Sequence, residues 1–186
     1  MDQKYIDILK NSGVGVIPTD TIYGIACSVF SKDALDRIFE IKGRDENKPP
    51  VVIISNVEEL NIFSINLTNK AKEFINKYWL GKVSIIFDIS PEYSYLDKNR
   101  GLAIRLVNEP KIKEFLEKTG PLATSSANTQ GLPLAKNIEE AKKYFGDKVD
   151  FYYDVGDLIS EPSTLVKISG DNIEVLRQGA VKIDVL

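Results

Sequence analysis

No histidine occurs anywhere in the chain, and cysteine, methionine and tryptophan occur once each. The first absence removes Ser-His-Asp and Cys-His catalysis and every imidazole-ligated metal site. A single cysteine, Cys27, excludes an internal disulfide and leaves a zinc cluster unsupported, which suits a reducing compartment. Long apolar runs are missing too, since none approaches the roughly 20 residues that a membrane helix needs. Residues Met1 to Tyr5 lack the basic-then-apolar layout of a signal peptide. There is no Gly-rich loop ending in Lys-Ser/Thr and no Gly-x-Gly-x-x-Gly fingerprint, so any nucleotide must be held by another architecture. Repeats, low-complexity tracts and linkers are also absent. The expectation is a cytoplasmic protein of one domain, residues 1–186, with no membrane contact.

What is present is ordinary in amount: 43% hydrophobic and 27% charged residues, with a net charge of −3. That balance argues against a general polyanion binder and leaves room for a local basic cleft. Chemistry must run on carboxylates, lysines, arginines, hydroxyls, backbone groups or a metal carried by a substrate.

Apolar patterning alternates between strand-like and helix-like segments along the chain, the mark of an α/β protein. Short β-branched runs at 13–17, 51–54, 83–87 and 102–107 read as strands, and 151–153 as a shorter one. Residues 163–168 and 173–177 read as a closing antiparallel pair. Helices are expected over 5–11, over 33–42 after Ser31 or Asp33, briefly from Val57, after Thr68, from Pro110, and after the capping box Asn137-x-x-Glu140.

Two strand-to-loop junctions concentrate small hydroxyl residues, where α/β proteins usually bind ligands. One is Pro18-Thr-Asp-Thr-Ile-Tyr-Gly24. The other is Gly120 to Pro133, in which an apolar run opens into Thr124, Ser125, Ser126 and Asn128. Ser/Thr/Asn turns would give the same composition. Lys42, Arg44 and Lys48 cluster after the 33–42 helix. Cations there favour a helix C-terminus, and the same charges suit a polyphosphate clamp. Arg105 lies within an apolar strand, on the face shared with Ala103 and Val107. A buried guanidinium demands an anion, either an internal carboxylate or a ligand carboxylate or phosphate.

Taken together, Pro18-Thr-Asp-Thr-Ile-Tyr-Gly24, Lys42-x-Arg44, Trp79-x-Gly81, Arg105, Ser126-Ala-Asn128, Ser163-Thr164 and Arg177-x-Gly179 resemble the YrdC/Sua5 family in order and spacing. The resemblance runs from about residue 13 to 180. It implies an α/β (α+β) fold with a twisted mixed sheet flanked by helices and a concave basic cleft. It also implies an activity: L-threonine, bicarbonate and ATP become threonylcarbamoyl-AMP and pyrophosphate. That product serves other proteins in making t6A at position 37 of tRNA. Magnesium would arrive with ATP, with no metal held by the protein itself.

The resemblance assigns roles as well. Thr21, Arg105, Thr124 and Ser163 match positions around L-threonine, with Arg105 facing its carboxylate. Lys42, Arg44, Ser126 and Asn128 match the pairs around the ATP phosphates and the reacting carbamate. Lys48 and Arg177 match nucleotide-binding positions, and Ser125 is set aside. Four positions depart from the family pattern: Ile53 for a common histidine, Lys48 for arginine, Gly101 for threonine and Leu134 for serine. A module that binds double-stranded RNA or tRNA without synthesis is the alternative.

Overall fold

The computed structural model describes residues 2–43, 49–79, 81–99 and 101–184. Five helices and nine strands alternate along it. They are α1 (Gln3–Lys10), β1 (Gly15–Pro18), β2 (Tyr23–Ser28), α2 (Lys32–Lys42), β3 (Val51–Ile54), α3 (Asn69–Tyr78), β4 (Val83–Asp88), β5 (Gly101–Leu106), α4 (Pro110–Thr119), β6 (Leu122–Ser126), α5 (Ile138–Phe145), β7 (Phe151–Tyr152), β8 (Thr164–Ser169) and β9 (Asn172–Arg177). Residues Val57–Phe63 form a 3-10 helix. No described helix is long and apolar enough to cross a membrane.

The strands form one mixed sheet in the order β7-β1-β2-β6-β3-β5-β4-β8-β9. The β1/β7, β3/β5 and β4/β8 pairs are parallel, and the remaining pairs are antiparallel. The expected twisted mixed sheet with helices is therefore present.

Helix starts follow the side chains available. Ser31, rather than Asp33, accepts from Ala34 N–H at 3.2 Å, and Thr68 accepts from Ala71 N–H at 3.2 Å. Asn137 accepts from Glu140 N–H at 3.0 Å, while Glu140 returns to the N–H of Lys136 at 2.9 Å. Each cap of this type is worth about 1 kcal/mol.

The two faces of the sheet are filled unequally. One face carries Tyr23, Ile25, Cys27, Val52, Ile54, Leu102 and Ile104 into the larger core, together with apolar residues of α2, α3 and α5. The opposite face carries Ile17, Ala26, Ile53 and Leu122, and α1 and α4 cover it through Ile6, Leu9, Ile112, Phe115 and Leu116. Two short helices cannot span nine strands. Beyond their edge the second face continues through Gly24, Thr124, Ser126, Val51 and Arg105, where side chains are small or polar. Strand alternation puts these residues on the face of Ile53 and Leu122, because Ile53 pairs with both Arg105 and Leu122, and Thr124 pairs with both Ala26 and Val51. The uncovered half of that face is the concavity in which the site forms.

Candidate active site

A cavity of about 390 Å³ occupies this uncovered half. Thr21, Arg105, Thr124, Ser126, Ser163 and Arg177 all line it. Six residues singled out in the sequence, spread from position 21 to position 177, therefore converge on one space. Ser125, set aside in the sequence, borders the cavity as well, as do Thr19, Tyr23, Gly24, Pro49 and Leu134.

The β1–β2 hairpin supplies one wall. Thr19 closes the turn on itself: its hydroxyl donates to Ile22 O at 2.7 Å and accepts from the N–H groups of Thr21 and Ile22 at 3.3 and 3.2 Å. The Thr21 hydroxyl lies 3.2 Å from that of Thr19. Tyr23 ties the next loop to this wall. Its hydroxyl donates to Gly156 O at 2.8 Å and accepts from Val155 N–H at 2.9 Å. Burial pushes that hydroxyl above its ordinary pKa, while the Val155 N–H pulls the other way.

The floor comes from β6 and β5. Thr124 donates its hydroxyl proton to Val51 O at 2.8 Å, so toward the cavity it offers lone pairs. Arg105 is 6% exposed. One of its terminal nitrogens lies 2.9 Å from Asp20 Oδ1. Its Nε has no hydrogen-bond partner among the described residues. Burial lowers the Arg105 pKa and Asp20 opposes that shift. Of the two kinds of anion the sequence left open for Arg105, the internal carboxylate is present, and it satisfies only part of the guanidinium.

The far wall is built by the β8 entrance and the end of β9. Ser163 and Ser84 hydroxyls lie 3.0 Å apart, and Arg177 donates to Ser163 O at 2.9 Å. A Cβ on Gly179 would sit 2.3 Å from Pro162 O, so only glycine lets this crossing strap lie so close. Gly179 N–H donates to Thr164 Oγ1 at 2.9 Å and fixes the strap in place.

Lys42, matched by resemblance to a position around the ATP phosphates, is engaged with the loop after β6. It stands outside the cavity lining and is 2% exposed. Its ammonium donates to Ser126 O, to Asn128 O at 2.6 Å and to Asn128 Oδ1 at 3.4 Å. Gln130 N–H donates to Lys42 O at 3.2 Å, so helix α2 grips the loop after β6 by side chain and backbone together. Asn128 is drawn in by the same grip. Ser126 Oγ donates to Asn128 Oδ1 at 2.6 Å, and the Asn128 amide donates to Leu132 O at 2.7 Å. Arg44 and Lys48 lie outside the described residues. Ile53, in the place of a common family histidine, is fully buried under α1 and α4. Leu134 is 44% exposed at the cavity rim.

Asp20 is the residue that sequence reading passed over. Its signal was the unmet demand of Arg105 for a counter-ion, which a carboxylate between Thr19 and Thr21 answers.

An open mixed sheet with an arginine-bearing cavity on its uncovered half, and no glycine-rich phosphate loop in the sequence, defines an α/β protein with a candidate small-molecule site. The model of the Sua5/YciO/YrdC family, described as "telomere recombination", matches residues 7–179, and the chain belongs to that family. A Methanocaldococcus jannaschii protein provisionally named a threonylcarbamoyl-AMP synthase is 31% identical over 189 residues, spanning 99% of this chain and 90% of its own length. The threonylcarbamoyl-AMP synthase of an Enterobacter species is 33% identical over 147 residues, covering 76% of this chain and 77% of that one. The crystal structure of P. abyssi Sua5 complexed with L-threonine superposes with a TM-score of 0.86 at 23% identity. That match covers 95% of this chain, which spans 53% of the longer Sua5 chain.

Proposed function

We propose that the protein joins L-threonine, bicarbonate and ATP into threonylcarbamoyl-AMP and pyrophosphate, in the cytoplasm and in service of t6A formation on tRNA. The observation that carries this reading is the half-satisfied Arg105. Its buried Nε stands without a partner among the described residues, and the cavity that Arg105 borders carries the hydroxyl residues Thr19, Thr21, Thr124, Ser126 and Ser163. Such a group calls for an anion, and a carboxylate matches a guanidinium edge. Thr124, which turns lone pairs toward the cavity, suits a ligand donor such as an amine or hydroxyl. An amino acid with a hydroxyl side chain meets both requirements. Relatives named threonylcarbamoyl-AMP synthase support the same substrate set.

The chemistry fits a chain without histidine. The amine of threonine adds to bicarbonate with loss of water and gives an N-carboxylate. An oxygen of that carboxylate attacks the α-phosphorus of ATP, and the bond to the β,γ-pyrophosphate breaks. No enzyme nucleophile takes part, so catalysis consists of alignment and of cancelling charge on phosphoryl oxygens. Magnesium enters as MgATP. Arg177 lines the cavity beside Ser163 and is the described cation best placed for the nucleotide. Arg44 and Lys48 are assigned to the phosphates by their family positions alone. Lys42 and Asn128 act by shaping the Ser126 loop. Proteins that transfer the threonylcarbamoyl group to tRNA would be the downstream partners. RNA binding without synthesis has no observation in its favour among the described residues.

The test is pyrophosphate release. It should require ATP, L-threonine and bicarbonate together, and Arg105→Ala should raise the threonine concentration needed. An Arg105→Ala enzyme that is less stable but unchanged in its threonine dependence would reduce Arg105 to a structural charge.

A further inference from the structure

The Trp79-x-Gly81 motif lies away from the cavity lining, and so does Asp20. The two meet behind Arg105. Gly81 adopts φ +104°, a left-handed conformation that side chains rarely tolerate, and its carbonyl accepts from Val83 N–H. Trp79 is fully buried and its indole N–H donates to Val83 O at 3.0 Å. The turn held in this way presents Lys82 N–H to Asp20 Oδ2 at 3.2 Å. The Thr19 hydroxyl accepts from the N–H groups of Thr21 and Ile22, which closes the backbone turn around Asp20. The other carboxylate oxygen, Oδ1, lies 2.9 Å from the Arg105 guanidinium, and the side chains of both partners are 8% exposed.

We infer that Asp20 is a positioning residue for substrate recognition: held by the Lys82 N–H, its carboxylate keeps the Arg105 guanidinium charged and in place in the cavity wall, where it meets the substrate carboxylate. Asp20 is absent from the lining of this cavity and borders a neighbouring one with Gly81 and Lys82, so its route to the substrate runs through Arg105. Asp20 Oδ1 makes no hydrogen bond of its own among the described residues, so it acts on Arg105 as a charge 2.9 Å from one terminal nitrogen. That counter-charge lets Arg105 stay ionised when buried and draws the guanidinium to one side of its site. The motif at Trp79 and Gly81 then has a place in the site, as the support for Asp20.

This inference rests on the reading that Arg105 faces the carboxylate of the amino acid, so the experiment separates the two. Initial rates of pyrophosphate release are measured for wild type, Asp20→Asn, Asp20→Glu, Arg105→Met and the Asp20→Asn/Arg105→Met pair. L-Threonine and ATP are varied in turn. Asp20→Asn should raise the threonine KM by about tenfold or more, the usual effect of weakening one charge-assisted contact, with the ATP KM unchanged. Asp20→Glu, which keeps the charge and moves it by one methylene, should fall between Asp20→Asn and wild type. The pair should have the threonine KM of Arg105→Met alone, because two residues acting through one contact are not additive.

A merely structural Asp20 would lower the active fraction, and so kcat, while leaving the threonine KM where it was. That result for Asp20→Asn, beside a raised KM for Arg105→Met, overturns the inference and spares the reading of Arg105. An unchanged threonine KM in Arg105→Met overturns both. Should Asp20→Asn fail to fold, Asp20→Glu and the charge-balanced pair decide the matter by the same comparison. A pair additive in threonine KM, or an Asp20→Glu enzyme with wild-type threonine KM, counts against Asp20.

Discussion

Lys42 holds its charge out of solvent and places it on the oxygens of Ser126 and Asn128. Sequence showed a basic residue at the end of a helix, and that pattern does not reveal which way a long side chain turns. Lys42→Met should therefore behave first as a packing lesion. It leaves buried carbonyls without their donor, and thermal or urea unfolding should report a loss of about 3 kcal/mol, with synthesis falling as the Ser126 loop loosens. An activity loss with unchanged stability would return Lys42 to the role of a simple phosphate ligand. Leu134 is the opposite case, exposed at the cavity rim. Leu134→Ser should change stability by no more than about 0.5 kcal/mol, as for other surface changes. Kinetics should show any effect in the ATP KM and none in the threonine KM.

At the scale of elements, much of the architecture was legible because local signals agreed with the global fold. Strands β3, β4 and β5 stand where short β-branched runs end at Gly, Pro or Asn, and α2, α3, α4 and α5 begin at the residues able to cap or start them. Strand β2 gave no such signal. Tyr23–Ser28 is buried along its whole length, so no polar alternation marks it. The pairing of β2 with β6 was equally hidden, since register between distant strands is set by packing that no local window contains. The strap after β9 is another tertiary feature. Gly179→Ala would drive a Cβ into the Pro162 and Ser163 carbonyls. Unfolding should show a loss of about 1–3 kcal/mol, the usual range for overpacking. Because Arg177 leans on the Ser163 carbonyl, the ATP KM should rise with it.

The β1 edge carries a further, pH-dependent tie. Burial pushes the Asp150 carboxyl up, but two contacts with Arg37 at 2.7 and 3.0 Å and one with Val14 N–H at 2.6 Å outweigh it, and the pKa falls below its ordinary value of 3.8. A carboxyl depressed in the folded state adds stability above its unfolded pKa and loses it as pH drops through the folded one. Asp150→Asn should therefore flatten the stability curve on the acid side of pH 3.8 and leave its shape unchanged near neutrality, as read from urea midpoints across pH.

For the whole molecule, the sheet joins six site residues that are far apart in sequence, and the reason lies in coverage. Helices α1 and α4 fill half of one face, and the uncovered half keeps the hydroxyls and arginines that a core would reject. The family pattern singled out these residues, and the folded chain brings them to one cavity; that Asp20 stands beside Arg105 needed the folded chain. Cys27 reports on the integrity of that assembly. Burial pushes its thiol up to about 12, so it should resist thiol reagents at neutral pH and react fully once denatured. The central claim is a synthesis that needs three substrates and no enzyme nucleophile. Pyrophosphate and threonylcarbamoyl-AMP should be measured from purified protein with MgATP, L-threonine and bicarbonate, omitting each substrate in turn. The account predicts both products with the complete mixture and neither when any one substrate is left out. Pyrophosphate release that ignores L-threonine, or no adenylate from the complete mixture, would contradict it.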